Sequence, residues 1–490
     1  MGGMKMTVFE RIESFATELE REAYEVGAGL KSEANFSEIF DRADSLISQD
    51  TVNELREAEV GHDERAECLS FLLCMIIDKS LKNVTDEIVT MELTSEVSIG
   101  SESVPYRQLP VMIANEPNHK KREELDLLRL GVLKTKLNDL SRLIIEQTHD
   151  MAKSFGYKSY REYFESIEGM KLDPLREETE GFLTSTEKFY KEELEHYSKR
   201  LLGLEISELA QYDTMYMRRA DAFDGLFPNE KMLSSTWATM NNMGIEAEKH
   251  PHVILDIESR PSKSFRAFCC PVRVPYEVYL VIQPQGGVED YASFLHELGH
   301  TLHYAHTDAS LPVSARLFGD NSVTEAHAAT LERLIHNPEW LMRRLGVAEP
   351  GEYLRYMRFF ELYMIRRYCA KFHYELELHG GEKDVEQCAA IYAKTLTDAT
   401  LIRYSPECWL QDLDSHFYCA RYLRSWMLEN QITSYLSDNF GDDWFDKPEA
   451  GKALTKMWSQ GQKHRAEVMS ASLGYEKLSF DTLIKQYGGR

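Results

Sequence analysis

A short motif in the middle of the chain has the residue types and the spacing of a catalytic metal site. His296 and His300 stand four residues apart in the segment YASFLHELGHTLHYAH, residues 291–306. Residues four apart on a helix share one face, so both imidazoles can reach a single ion. With Glu297 directly after the first histidine, the segment has the H-E-x-x-H pattern, in which the glutamate is the general base of a zinc site. The motif therefore predicts a metal-activated water that attacks a carbonyl group.

A catalytic zinc takes three protein ligands, and the third can come from His303 or His306 in the same helix or from the next helix. His303 shares the helix face of the pair, but a straight helix does not easily wrap three ligands around one ion. Glu325 lies in the next predicted helix, within NSVTEAHAATLERL, where small residues would allow two helices to pack closely. Glu332 follows on the same face and could orient a ligand by hydrogen bonding. From the spacing alone, an ordinary solvated helix face remains the alternative for both glutamates.

One glycine in the motif helix also needs a reason. Gly299 lies between the two histidines of the helix, where glycine costs about 0.5–1 kcal/mol relative to alanine. We expect another backbone to approach closely at this point. The alternative for the motif as a whole is a chance pair of surface histidines on a weakened helix.

Hydrophobic periodicity indicates that helices must position these residues. Apolar side chains recur every three or four residues through most of the chain. Asp and Glu at residues 289–290, after a Gly-Gly break, favour the start of the motif helix. The predicted helical stretches are residues 7–30, 36–83, 119–155, 174–202 and most of 320–475.

Two segments have the composition of strands. The stretch 88–114, which begins IVTMEL, alternates and contains glycine and proline, which predicts a small β-hairpin. Residues 274–283, VPYEVYLVIQ, are rich in β-branched and aromatic side chains and predict a strand just before the motif helix. The sequence thus predicts a mainly α protein with a small sheet beside the motif helix. We expect one compact body of two lobes, residues 1–235 and 236–490.

Composition limits the function and the location of the protein. The formal charge of −25 repels phosphate backbones and anionic membrane surfaces, so we expect neither nucleic acid nor membrane as a partner. Eight scattered cysteines without a framework spacing indicate reduced thiols. The amino-terminal segment lacks the apolar core of a signal peptide, and the apolar run Leu69–Ile77 is too short to cross a bilayer. These features predict a cytoplasmic protein.

The motif and its surroundings, from about residue 255 to 340, resemble the thimet oligopeptidase and oligoendopeptidase F family of zinc peptidases. Glu325 lies 25 residues after His300, where that family places its third ligand. The resemblance implies that His296, His300 and Glu325 bind one Zn²⁺ per chain and that Glu297 is the general base. It also implies a two-lobed helical metallopeptidase with a central channel, in which the strand upstream of the motif pairs with the substrate backbone.

A second segment, from Arg403 through RYSPECWLQDLDSHFYCARYLRSWMLENQI, is similar to the tyrosine-bearing segment of the same family. The resemblance implies that Tyr422 supports the transition state. The glycine-rich turn of the family is replaced here by residues 411–414. His416 and Tyr418 are therefore the candidates for substrate binding in this segment.

These features together predict a zinc-dependent oligopeptidase that cleaves internal bonds of short unstructured peptides. We expect it to be a monomer or a homodimer. One alternative is a metallocarboxypeptidase on the same scaffold, with Arg273, Arg403 or Arg424 holding the substrate carboxylate. Another is a non-catalytic homologue that binds peptide or metal, although Glu297 would contribute nothing to a purely structural site.

Overall fold

The computed structural model describes residues 6–31, 33–219 and 221–487, and within them helices dominate. Residues 1–5, which belong to the amino-terminal segment predicted not to be a signal peptide, lie outside the described residues. The early helices are α1 (Val8–Gly27), α2 (Phe36–Arg42), α3 (Gln49–Glu57), α4 (His62–Thr94), α5 (Leu109–Asn115), α6 (His119–Val132), α7 (Asn138–Ser154) and α8 (Tyr160–Glu168). The middle helices are α9 (Leu172–Tyr197), α10 (Gln211–Met217), α11 (Asn229–Asn242), α12 (Val288–His306), α13 (Asn321–Glu332) and α14 (Pro338–Trp340). The last are α15 (Gly351–His379), α16 (Cys388–Thr400), α17 (Tyr418–Phe440), α18 (Pro448–Trp458), α19 (Ala466–Ser472) and α20 (Asp481–Gln486). The predicted mainly α class is confirmed.

The predicted hairpin is present but shorter than expected. Strands β1 (Glu96–Ile99) and β2 (Glu102–Pro105) pair antiparallel, with Gly100 at a positive φ of 62° in the turn. The segment IVTMEL, predicted as the first strand, is instead the end of α4, so that prediction was wrong. The hydroxyl of Thr90 donates to the carbonyl of Asp86 four residues back, which lets a β-branched residue sit in a helix. A short apolar run cannot by itself distinguish helix from strand.

The second sheet has three strands in the order β3–β5–β4: β3 (Val253–Asp256), β5 (Glu277–Val281) and β4 (Phe268–Arg273). Strand β3 is parallel to β5, and β4 is antiparallel to it. Helix α12 packs against β4 and β5, so the expected small sheet beside the motif helix is confirmed. The predicted strand 274–283 is the central strand β5. Both of its edges are already paired, so it cannot also pair with a substrate backbone.

The chain divides into two compact units that alternate along the sequence. The first contains the residues up to Ile76, Asp221–Arg355 and Arg424–Leu483. The second contains Ile77–Ala220, Tyr356–Leu423 and the chain from Ile484. The predicted boundary near residue 235 and the central channel stay predictions. Within the described residues, no helix is long and apolar enough to cross a membrane.

Helices α12 and α13 pack backbone to backbone at Gly299. A Cβ atom at this position would lie 2.5 Å from the Cα of Ala328 and 2.8 Å from the carbonyl oxygen of His327. Leu295, Leu298 and their neighbours on the inner face of α12 are fully buried, so the helix cannot shift outward without losing its core contacts. The close approach expected from the sequence is therefore the reason for the glycine.

We predict that Gly299→Ala destabilises the protein by about 1–3 kcal/mol, because the added methyl group meets backbone atoms that cannot rotate away. The measurement is the free energy of unfolding in urea. The matched control is Gly181→Ala in α9, where a Cβ atom meets nothing within 4 Å. That control should gain up to about 1 kcal/mol from helix propensity. Equal stability of the two variants would contradict the packing argument.

Candidate metal centre

Three side chains from α12 and α13 converge in the first unit. One ligand atom from each of His296, His300 and Glu325 lies within 4.8 Å of the other two. The Oε2 atom of Glu325 is 3.4 Å from Nε2 of His296 and 3.6 Å from Nε2 of His300. Glu325 is 7% exposed, so its carboxylate is turned into the protein rather than toward solvent. The solvated-face alternative for this residue is therefore wrong.

The distances fit a tetrahedral zinc site. Two ligand atoms that are each about 2.1 Å from a tetrahedral ion are about 3.4 Å apart, close to both separations from the carboxylate oxygen. Two nitrogens and one carboxylate oxygen also leave a fourth position free, as in catalytic zinc sites. These residues are therefore the ones that would hold Zn²⁺.

Hydrogen bonds at the far nitrogens orient both imidazoles. Nδ1 of His296 lies 2.9 Å from Oε2 of Glu332, and Nδ1 of His300 lies 2.9 Å from the hydroxyl of Thr324. A proton held at Nδ1 leaves the Nε2 lone pair of each ring for a metal ion between the rings and Glu325. Glu332 thus occupies the orienting position predicted for it. Thr324 was missed, because a threonine beside a predicted ligand carries no signal of its own in the sequence.

The surroundings of the centre raise the pKa of the histidine His296 and lower the pKa of the glutamate Glu325. Burial lowers the pKa of His296, but hydrogen bonds to Glu325 and Glu332 outweigh this and raise it well above its ordinary value. Burial raises the pKa of Glu325, but hydrogen bonds to the two imidazoles outweigh it and leave the pKa low. Glu325 is therefore an anion at neutral pH, the form that binds a cation.

Glu297 lies beside the centre and not in the ligand set. Burial raises the pKa of its carboxyl group, and the nearby imidazoles of His300 and His296 oppose that rise. The backbone of Cys269 in β4 adds a smaller lowering effect on the same pKa. Strand β4 therefore lies close to the predicted general base.

The amino-terminal end of α13, just before Glu325, is held by a buried ion pair. Asp320 caps the helix by accepting from the backbone N–H of Ser322. Both guanidinium Nη atoms of Arg424 donate to the Asp320 carboxylate, at 2.9 and 2.7 Å, and Arg424 also pairs with Glu467. Arg424 is 3% exposed. Its charge therefore serves the position of α13, and the suggestion that it clamps a substrate carboxylate is wrong.

His303, the other sequence candidate for third ligand, is turned away from the centre. It is fully buried, and its ring lies 4.8 Å from that of His327, centroid to centroid. Burial lowers its pKa to about 3. Among the described residues, the metal-competent group contains His296, His300 and Glu325, without His303.

The predicted residues of the tyrosine segment lie in the second unit. The Tyr422 ring contacts those of Tyr368 and Tyr418, with centroids 5.7 and 4.9 Å away. Nδ1 of His416 lies 2.9 Å from the hydroxyl of Tyr160. The roles of Tyr422, Tyr418 and His416 stay predictions.

The two other candidate arginines are exposed. The guanidinium of Arg273 lies 5.7 Å from the ring of Tyr276, and Arg403 lines a surface pocket of about 310 Å³ together with acidic residues. Neither contact indicates a carboxylate clamp at the metal centre.

Comparison with known proteins identifies the fold. No protein-family model and no curated protein matches the sequence. Among solved structures, the chain is similar to that described as "a putative oligoendopeptidase F from Bacillus anthracis str. Ames", with a TM-score of 0.66 and 13% sequence identity. The match covers 97% of this chain and 88% of the other. The protein therefore has the fold of that structure over nearly its whole length.

We predict that Glu332→Gln lowers Zn²⁺ affinity by about 10–100-fold, because the amide cannot match the carboxylate in making His296 a strong ligand. Thr324→Val should act in the same direction through His300. Affinity is measured by competition with a chromophoric chelator. The control is Glu339→Gln, an exposed glutamate paired with Arg343. Unchanged affinity in Glu332→Gln would exclude the orienting role.

Proposed function

We propose that the protein is a zinc-dependent oligopeptidase that hydrolyses internal bonds of short unstructured peptides. The observation that carries the proposal is the convergence of His296, His300 and Glu325 at zinc-like separations. A bound Zn²⁺ would supply Lewis-acid polarisation of the peptide carbonyl and would acidify a water molecule. The similarity of fold to the structure from B. anthracis supports a peptidase, since that protein is described as an oligoendopeptidase.

The residues of the chain have separate tasks in this proposal. Glu297 takes the proton of the attacking water and delivers it to the leaving amine, so it acts as base and then as acid. Its place beside the ligands, on the same helix and half-buried, suits that transfer. Glu332 and Thr324 hold the imidazoles in one orientation. Tyr422 is the proposed donor to the oxyanion.

An extended substrate would run along an edge strand rather than along β5. In the described sheet the edge strands are β3 and β4, and the backbone of Cys269 in β4 is near enough to Glu297 to lower the pKa of its carboxyl group. We therefore propose β4 as the strand that recognises substrate backbone. Recognition through main-chain hydrogen bonds would favour little selectivity for side chains.

The remaining features of the proposal follow from composition. The net charge of −25 opposes binding of nucleic acid and of anionic membranes. A cytoplasmic location and a monomeric or homodimeric state stay predictions.

We predict that Glu297→Gln retains zinc but loses about 10²–10⁴-fold in kcat, because the amide cannot accept the proton. The assay uses a peptide blocked at both ends, and zinc content is measured by elemental analysis. The matched control is Glu289→Gln, an exposed glutamate in the same helix. Normal turnover by Glu297→Gln would overturn the mechanism. Cleavage of free-ended peptides alone, with the blocked peptide intact, would favour the carboxypeptidase alternative.

We predict that Tyr422→Phe lowers kcat by about 10²–10³-fold with zinc content unchanged, because one oxyanion donor is lost. The KM for the blocked peptide should change little. Tyr435→Phe, in the same helix, is the control and should retain full activity. A Tyr422→Phe enzyme with normal kcat would remove this residue from the catalytic set.

A further inference from the structure

A pocket of about 190 Å³ lies among residues that all belong to the second unit. Its apolar wall comes from α4, α7 and the segment before α17. The aliphatic side chains of this wall are Ile77, Leu81, Ile144, Ile145, Leu410 and Leu413. The polar residues of the lining include Asp78, Tyr160 and His416, together with Ser141, Thr148 and Ser415. A mainly apolar pocket with a few convergent polar groups is the usual form of a small-molecule site.

The polar groups lie in a row. The Tyr160 hydroxyl lies 2.9 Å from Nδ1 of His416, and Nε2 of His416 lies 3.5 Å from Oδ1 of Asp78. Each ring nitrogen of His416 thus faces one polar side chain of the pocket. Tyr160 is 2% exposed, so the row is fixed at its inner end. At its outer end Asp78 keeps 43% of its side-chain exposure.

The charges on the lining select the ligand. Asp414 is paired with Lys371 at 2.7 Å, so its charge is already balanced. His379 is 5% exposed, and burial holds its pKa well below the ordinary value, so it is neutral. Among the described residues, Asp78 has no lysine or arginine in ion-pair contact, and its carboxylate faces the imidazole of His416. The pocket therefore presents one negative charge at the mouth of an apolar cavity.

We propose that this pocket binds an aliphatic primary ammonium, with the alkyl chain against the apolar wall and the charged nitrogen at Asp78. An engineered apolar cavity of roughly 150 Å³ holds benzene, so this volume suits a ligand of about seven non-hydrogen atoms. An anion would meet Asp78 without a cation to balance it. Among the described residues, no metal-competent group lies in this pocket.

The pocket wall leads directly into the helix that carries Tyr422. His416 and Phe417 have positive φ values of 55° and 49°, and α17 begins at Tyr418. Phe417 is fully buried against the rings of Phe164 and His379. A ligand seated on His416 would therefore touch the strained segment that sets the start of α17.

The test is isothermal titration calorimetry of the full-length protein at pH 8, where an ordinary histidine is neutral. The probes are hexylamine, hexan-1-ol and pentanoate, which have the same number of non-hydrogen atoms. We expect one hexylamine per chain with a Kd on the order of 1 mM. Hexan-1-ol should bind about tenfold more weakly, because it lacks the charge, and pentanoate should not bind.

Variants locate the binding without reference to peptidase activity. Asp78→Asn should reduce hexylamine affinity to that of hexan-1-ol. Asp86→Asn, an exposed aspartate further along α4, should leave it unchanged. Ile144→Trp should fill the cavity and abolish binding of both ligands, with circular dichroism as the check of folding. Three outcomes would each overturn the proposal. The first is equal binding of hexylamine and hexan-1-ol by the unmodified protein. The others are an undiminished preference for the amine in Asp78→Asn and unchanged binding in Ile144→Trp.

Discussion

The contact between the backbones of α12 and α13 at Gly299 is the constraint on which the candidate centre depends. Packed helices have axes about 8–10 Å apart, and the side chains at the contact set the distance. Here the absence of one Cβ atom brings the backbone of Ala328 against α12. Glu325, one turn earlier in α13, then reaches both Nε2 atoms. Gly299 lowers the helix propensity of α12, but it allows the close packing in which Glu325 approaches both histidines.

In the first unit, carboxylates at or near α13 are paired with imidazoles or with an arginine. Carboxylates that leave water lose several kcal/mol of hydration unless partners replace it. Glu325 faces two imidazoles, Glu332 accepts from one of them, and Asp320 lies against Arg424. All three carboxylates lie at or near the same short helix. The site is therefore held by paired groups, and removing Arg424 would leave the buried carboxylate of Asp320 without its cationic partner.

The fold matches that of the structure from B. anthracis although few residues are identical. At 13% identity the TM-score to the structure from B. anthracis is 0.66, so few side chains are shared while the path of the chain is kept. Helix-rich folds allow this, because many apolar residues of suitable volume can fill a core. The elements at the centre are less tolerant, since geometry within tenths of an ångström decides whether ligand atoms can share an ion.

The sequence alone determined the features that depend on residues close together in the chain, which are the helices and the motif within one of them. Helix periodicity gave most of the helices and placed His296, Glu297 and His300 on one helix, because side-chain direction repeats with the backbone. Tertiary structure decided what depends on residues far apart in sequence. In the tertiary structure His303 is buried in the core and β5 is the central strand of its sheet. The hydroxyl of Thr324 is hydrogen-bonded to Nδ1 of His300. Tertiary structure also placed His416 against Tyr160 and Asp78, since no local pattern records which distant groups a side chain will meet.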